Sequence, residues 1–492
     1  MVKTTESLRD YVQAIEFEAA TRGFLLKWAR QKGLEDTEEY RAWAEEAAEW
    51  GVAAQAARAE LKELYPDGYT FPPPPAGESF SSMLHRYFPS ESQGAMHTGG
   101  NHVKDITIQV TEDCNMACTY CYQQHKTARR MNFETASRFI DYILGEGPSG
   151  PDPYVNPEES AGVVLAFIGG EPFLEIELIE KIADYFLERT FLLHHRWATR
   201  FMFCFTSNGL LYFDRRVQSF LTKYSIHVSL SISIDGNKEL HDACRLDKAG
   251  NGTYDRALAA SLHYAKRRPG GAATKLTIAP GNVSYLYEAI RSLTENGYTD
   301  IHANCVFEEG WTLDHARTFY RQLLQVADYI AELDKKPRIS LFDKLVGRRL
   351  PPEENKNWCG GTGLMLAVDW RGDLYPCLRY METSLGGQQE PYKIGDIEHG
   401  VCDAGRVNCL DCITRRSQST DECFNCPIAG GCAWCSAYNY QINGTPDKRV
   451  TYICIMHKAR VLANEYYWHL LGEEYAVEVP PEWREAITGG SD

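Results

Sequence analysis

Thr111-Glu-Asp-Cys114-Asn-Met-Ala-Cys118-Thr-Tyr-Cys121-Tyr122 is the stretch on which the reading of this chain turns. Its cysteines are spaced C-x3-C-x2-C, with Tyr120 just before the third. Iron–sulfur clusters normally take four cysteine thiolates. A site that offers only three leaves one iron open to another molecule. A closed zinc site is the competing reading, because structural zinc takes four Cys or His ligands and His125 lies close enough to be the fourth.

Outward from this loop the chain alternates strand and helix. Strands are expected at 106–110, 163–168, 201–206, 227–234, 275–279 and 301–307, with amphipathic helical stretches such as 135–144, 178–187 and 254–266 between them. Such alternation predicts an α/β fold with parallel strands and crossover helices. Six units suit a partial barrel; an eight-unit barrel or an open doubly wound sheet has the same periodicity. The cysteine loop follows the first strand, at the barrel end where such folds place their active sites. Gly169-Gly170-Glu171-Pro172 follows the second strand, and Ser207-Asn208-Gly209 the third. The fourth strand ends in Ser233-Ile-Asp235-Gly236, followed by His241-Asp242 and Arg245. Each of these is by itself an ordinary turn signal. Their succession after consecutive strands, starting from the cysteine loop, is what carries information. A glycine pair lets backbone approach closely, and a carboxylate suits an ammonium group.

Ten of the 16 cysteines lie between Cys359 and Cys454. They include Trp358-Cys359-Gly-Gly, Gly372-Asp-Leu-Tyr-Pro-Cys377, Cys423-Phe-Asn-Cys426-Pro-Ile-Ala-Gly-Gly-Cys432-Ala-Trp-Cys435 and Cys454. Two zinc ribbons are the bland interpretation of the C-x2-C pairs.

The opening motif resembles the cluster loop of the radical S-adenosylmethionine (SAM) enzymes, and Gly169-Gly170-Glu171 resembles their motif for the SAM amino group. This implies a (β/α)6 partial TIM barrel. It also implies a [4Fe-4S] cluster on the catalytic Cys114, Cys118 and Cys121, whose open iron binds SAM and cleaves it to a 5′-deoxyadenosyl radical. By the same resemblance Tyr120 contacts the adenine through its backbone. Gly169, Gly170 and Glu171 serve the amino group, Ser233 and Arg245 hold the carboxylate, and Ser207, Asn208 and Asp235 complete the SAM site.

The C-terminal field resembles the SPASM extension, whose pattern runs C-x(9–15)-G-x4-C, C-x2-C-x5-C-x3-C and a lone C. The chain departs from it once, with two residues rather than three between Cys432 and Cys435. The resemblance implies two auxiliary [4Fe-4S] clusters and so three in all. Cys423, Cys426, Cys432 and Cys454 would close the outer one. Cys359, Cys377 and Cys435 would hold the inner one, with Cys402, Cys409 and Cys412 as spare candidates for its fourth ligand.

Gly431-Cys-Ala-Trp-Cys-Ser-Ala-Tyr-Asn-Tyr440, Tyr452-Ile-Cys-Ile-Met-His-Lys-Ala-Arg460 and Phe167-Ile-Gly-Gly-Glu-Pro-Phe-Leu-Glu175 are similar to the maturases whose peptide targets carry Cys-x-x-x repeats, a ranthipeptide- and sactipeptide-like group. The likeness covers about 103–470. It implies thioether cross-linking of a Cys-containing precursor peptide, with an external reductant such as flavodoxin or ferredoxin. Formylglycine formation on a sulfatase, or carbon–carbon cross-linking, is the alternative enzyme function. A non-catalytic zinc-binding adaptor is the alternative of another class.

Length, 492 residues, suits two to four domains. The expected division is a helical amino-terminal region at 1–95, the barrel at 103–335, the auxiliary-cluster domain at 345–460 and a C-terminal helix and tail at 461–492. Leu8, Tyr11, Val12, Ile15 and Ala19, then Tyr40, Trp43, Ala44 and Ala47, mark helical faces in 1–66, and Pro72–Pro75 marks a linker. No apolar run of about 18 residues and no signal core is seen, so a cytoplasmic protein without a membrane span is expected. The cytosol keeps thiols reduced, which favours metal ligation over disulfides. A net charge of −16 argues against nucleic acid as a partner. Cys204, Cys244 and Cys305 read as core. Glu308, after the sixth strand, meets either substrate or solvent.

Overall fold

The protein is described from a computed structural model over residues 5–66, 79–88, 104–123, 125–156, 160–267, 272–308, 310–357, 359–385 and 387–489. The expected linker at Pro72–Pro75 lies outside them.

Six parallel strands lie side by side in chain order: β1 (Lys104–Gln109), β2 (Val163–Ile168), β3 (Phe201–Ser207), β4 (Val228–Ser233), β5 (Ala272–Ile278) and β6 (Tyr298–Cys305). In β2 and β3 every second side chain (Val163, Leu165 and Phe167; Phe201, Phe203 and Phe205) is buried on the outer face, the alternation a pleated strand imposes. They pack on the apolar sides of α4 (Phe133–Ile143), α5 (Ile176–Leu192) and α6 (Arg215–Lys223), with α7 (Lys238–Cys244), α8 (Tyr254–Lys266), α9 (Leu286–Glu295) and α10 (Leu313–Ala331) continuing the outer layer.

The sheet does not stop at β6. A two-residue strand, β7 (Arg338–Ile339), extends that edge, and β8 (Met365–Val368) pairs in parallel with β1 at the other. From β8 an antiparallel ladder runs through β9 (Asp373–Tyr375), β10 (Gly395–Asp396) and β11 (Gly400–Val401). The cysteine-rich region is thereby hydrogen-bonded onto the first strand. Its helices are α11 (Ala404–Asp411), α12 (Arg415–Gln418), α13 (Asp421–Phe424), α14 (Ser436–Asn443) and α15 (Cys454–Leu470), followed by α16 (Pro481–Thr488).

The amino-terminal helices α1 (Thr5–Gln31) and α2 (Glu38–Leu64) form a hairpin around Leu8, Val12, Ile15, Ala54 and Ala57. Tyr11, expected on the buried face, is instead exposed, because it lies at the margin of the stripe that meets α2. The hairpin docks on the barrel. Trp28 Nε1 donates to Asp184 at 3.1 Å, Trp43 Nε1 to the Phe191 carbonyl at 3.1 Å, and Arg200 Nε to the buried Glu18 at 2.7 Å. With α3 (Phe80–Tyr87) it reaches the amino-terminal ends of the strands. There Leu84, Phe17, Phe80 and Met83 pack on Val164, Met202 and Cys204, which alternate with the outward residues and so face the inner side. The amino-terminal region thus closes the barrel floor, opposite the cysteine loop.

His227 shows how tightly this floor is packed. It stacks on Phe201 at 3.9 Å, its Nδ1–H donates to the Phe201 carbonyl at 3.0 Å, and Nε2 has no partner among the described residues. Burial pulls its pKa from 6.5 down to about 4. As pH falls through 6.5 the unfolded chain takes up a proton that the folded one refuses, so stability present above that pH is lost towards pH 4. Between pH 7.5 and 5.5 this histidine alone costs about 1 kcal/mol. Urea unfolding at the two pH values should show a loss smaller by that amount in His227→Gln; an unchanged loss would contradict this.

Candidate functional site

The cysteine loop leaves β1 at Val110 and is held by backbone on two sides. Thr111 bridges Arg130 and Met116 bridges Asp247; Ala117 and Thr119 donate to the carbonyls of Leu246 and Cys244 at 2.9 and 3.0 Å. This fixes Cys114, which is buried, and Cys118 and Cys121, which are half-buried. Cys118 lies within electrostatic reach of both other thiols, and Lys126 hydrogen-bonds Cys121 while facing Cys114 and Cys118. Burial pushes the Cys114 thiol up to about 11.

The loop after β2 packs directly on this one. A Cβ at Gly169 would lie 2.4 Å from the Thr111 carbonyl, and one at Gly170 would lie 2.4 Å from that of Asp113 and 2.5 Å from Cys114 Cβ. The close approach these glycines allow is therefore to the cysteine loop itself. Glu171 follows, fully buried, accepting from Ser207 Oγ at 2.9 Å, Asn208 N at 2.8 Å and Phe173 N at 3.1 Å. Among the described residues no cation pairs with it. Burial, opposed by those three hydrogen bonds, pushes its carboxyl up to about 7. Asn208 Nδ2 also donates to Asn115 Oδ1 at 2.7 Å, tying the third strand's end to the cysteine loop.

From the fourth strand, the buried Asp235 receives the Tyr120 phenol and a two-point contact from Arg245, Nε at 2.8 Å and Nη2 at 3.4 Å. Arg245 lies 5.4 Å over the Tyr120 ring. Ser233 is buried in β4, in register with Lys275 of β5. Gly169, Gly170, Glu171, Ser207, Asn208, Asp235 and Arg245, singled out from sequence, thus gather around one loop. Sequence reading missed Asn115, Lys126 and Tyr122, which carry no signal apart from their nearness to the cysteines.

The later cysteines form two further sets. Cys423, Cys426, Cys432 and Cys454 line one cavity of about 290 Å³, walled by Arg449, Lys458 and Trp483. Arg449 Nη2 lies 3.0 Å from Cys432 Sγ. Cys359, Cys377 and Cys435 make the other set, within electrostatic reach of one another, with Cys359 Sγ 3.2 Å from Ser436 Oγ. Burial raises Cys377 well above an ordinary thiol. Cys402 and Cys412 are exposed, whereas Cys409 hydrogen-bonds Tyr392. Cys204 and Cys305 pack against apolar residues, as expected; Cys244 is half-buried at the end of α7. Glu308 pairs with Arg379 at 3.1 Å. Among the described residues no three His, Cys, Asp or Glu side chains are gathered closely enough to hold a single ion.

No family model matches the chain. An uncharacterised protein of Methanocaldococcus jannaschii is 27% identical over 280 residues, 56% of this chain and 85% of that protein. The radical SAM cyclopropyl synthase TigE of Paramaledivibacter caminithermalis is 21% identical over 361 residues, 68% of each chain. A cysteine-type anaerobic sulfatase-maturating enzyme of Clostridium perfringens is 29% identical over 154 residues, 31% of this chain and 38% of its own. Among solved structures, that of anSMEcpe with bound AdoMet and a Kp18Cys peptide superposes with a TM-score of 0.53 at 18% identity, covering 75% of this chain and 98% of the other. The fold is that of the radical SAM enzymes. Among the described residues no helix is long and apolar enough to cross a membrane.

Proposed function

We propose that the protein is a radical SAM peptide maturase that installs cysteine thioether links in a ribosomally made peptide. The observation that carries this is the arrangement of ten thiols in three sets: three at the mouth of the barrel, three beside it and four around a separate cavity. Thiols so grouped suit four-iron clusters, whose ligands stand farther apart than those of one ion. When bound, such a cluster with SAM supplies a one-electron cleavage that yields a hydrogen-abstracting adenosyl radical.

The chain's own part is placement. Cys114, Cys118 and Cys121 are the proposed thiolate ligands of the SAM cluster. Glu171, a buried carboxylate without a cation, is the proposed seat of the SAM ammonium. Asp235 keeps Arg245 and Tyr120 in place at the far side of the loop. The floor built by α3 and α1 shields the inner side from water, which a reactive radical requires. Cys359, Cys377 and Cys435 are proposed for the inner auxiliary cluster and Cys423, Cys426, Cys432 and Cys454 for the outer one. A three-thiol inner set has room for the thiolate of a substrate cysteine, which metal binding would hold deprotonated. An external reductant completes the system. If a substrate thiolate is the fourth ligand, Cys402→Ala, Cys409→Ala and Cys412→Ala should leave iron content intact; loss of one cluster's iron in any of them would make that cysteine the ligand.

Sulfatase maturation is the second reading, supported by the 29% identity over 154 residues to the Clostridium perfringens enzyme. Incubation of the reconstituted protein with a small cysteine-rich peptide encoded beside it, SAM and reductant tests the two. Thioether formation removes two hydrogens per link and leaves fewer alkylatable thiols, with all sulfur retained. Loss of sulfur from the peptide would instead indicate formylglycine.

A further inference from the structure

We propose that Arg379 is the seat for an anionic group of the peptide, a carboxylate or a thiolate, at the mouth of the barrel; this rests on the peptide reading above. Arg379 stands two residues after Cys377, in the tight turn Leu378–Tyr380. Its side chain crosses from the cysteine-rich region to the carboxyl end of β6, where Nη2 donates to Glu308 Oε1 at 3.1 Å. The guanidinium lies 4.9 Å from the ring centre of Tyr122 and 6.0 Å from that of Tyr438. The Tyr122 phenol is within electrostatic reach of both Cys121 and Cys377, and Arg379 within reach of Cys435. A peptide spanning the first and inner thiol sets therefore passes this cation.

The pair differs from the forked pairs of the molecule. Arg245 forks onto Asp235, Arg338 onto Asp300 at 2.9 and 3.1 Å, and Arg348 onto Glu354 at 2.9 and 2.7 Å. Arg379 makes a single-point contact, and among the described residues no second acceptor meets its remaining donors. The cation is the sunken partner, 18% exposed, while Glu308 is 40% exposed. A guanidinium withdrawn from water seeks acceptors for its whole fork, and a two-point partner binds more strongly than a one-point partner. Two aromatic faces hold the cation in place. Glu308 is then a resting counterion that an incoming anion displaces towards solvent.

Equilibrium dialysis of the anaerobically reconstituted full-length protein tests this without SAM or turnover. The probes are N-acetylcysteine amide and N-acetylglutamic acid amide, each against its uncharged counterpart, N-acetylserine amide and N-acetylglutamine amide. At least one anionic probe should bind about tenfold more tightly than its counterpart, the scale of a charge-assisted hydrogen bond, and which one does so identifies the group. Arg379→Gln should abolish that difference for the carboxylate and weaken it for the thiol, which the inner set also holds in the function above; Arg379→Lys should keep part of it, and Glu308→Gln should leave binding unchanged or tighter. Iron and sulfide content confirm that each variant keeps its fold; if Arg379→Gln does not, Arg379→Lys and Glu308→Gln decide. No preference for either anion, preferences unchanged in Arg379→Gln, or equal weakening by Arg379→Lys and Glu308→Gln would overturn the proposal, the last by making the pair only a tie between barrel and cysteine-rich region. Unmodified peptide with anion binding retained would refute the function above and leave this inference standing.

Discussion

Cys118→Ala is expected to abolish SAM cleavage and to remove about four irons per chain, one cluster's worth. Cys118 is the middle thiol of the loop, within electrostatic reach of Cys114 and Cys121, so no neighbouring thiol replaces it. Changes to groups that merely orient metal ligands already cost about 10–100-fold. Loss of a ligand should therefore lower 5′-deoxyadenosine formation by more than about a hundredfold. Asp235→Asn is the informative companion. It keeps all three thiols and loosens the tether through Tyr120 and Arg245, so iron should stay while the rate falls within the 10–100-fold range of about one to two powers of ten. Iron analysis and chromatographic measurement of 5′-deoxyadenosine check both variants. Unchanged iron in Cys118→Ala would remove that residue from the ligand set.

Glu18→Ala should destabilise the protein by about 3–5 kcal/mol, the cost of breaking a buried ion pair by deleting one partner. Glu18 is fully buried between Arg22 of its own helix and Arg200 at the foot of β3, and both arginines are largely buried themselves. Its removal takes from both arginines their shared buried acceptor at the joint between hairpin and barrel, while Arg22 keeps Glu46 at 2.9 Å. Glu18→Gln keeps the volume and one acceptor and should cost less. Denaturant unfolding followed by tryptophan fluorescence measures the difference, since Trp28 and Trp43 report on this joint. Equal stability of Glu18→Ala and the parent would mean that the floor is held by its apolar contacts alone.

Much of the fold could be read from residues because the barrel strands have long, regular apolar patterns. Residues 163–168 and 201–206 fall within one residue of the observed β2 and β3. The expected starts of β5 and β6 came three residues late, because Ala272-Ala-Thr and Tyr298-Thr-Asp carry little alternation. Strands β7 to β11 are two to four residues long, too short for any periodicity, and their attachment to β1 depends on pairing across the chain. Helices α1 and α2 were legible, but their place was not: docking rests on partners such as Glu18 with Arg200 and Trp43 with the Phe191 carbonyl, far apart in sequence. The same holds for Arg379 and Glu308, which sequence shows only as a cation near a cysteine and an acid after a strand. Cysteine spacing, by contrast, is local chemistry. The resemblance that this spacing carries implied Cys423, Cys426, Cys432 and Cys454 as one set, and these four line one cavity.

Anaerobic purification followed by joint assay of iron, labile sulfide, zinc and 5′-deoxyadenosine is the most direct test of radical SAM chemistry at Cys114, Cys118 and Cys121. A brown protein with about twelve irons and as many sulfides per chain, three clusters' worth, that cleaves SAM on reduction is the expected result. A colourless protein that holds zinc, contains no labile sulfide and leaves SAM intact would contradict it.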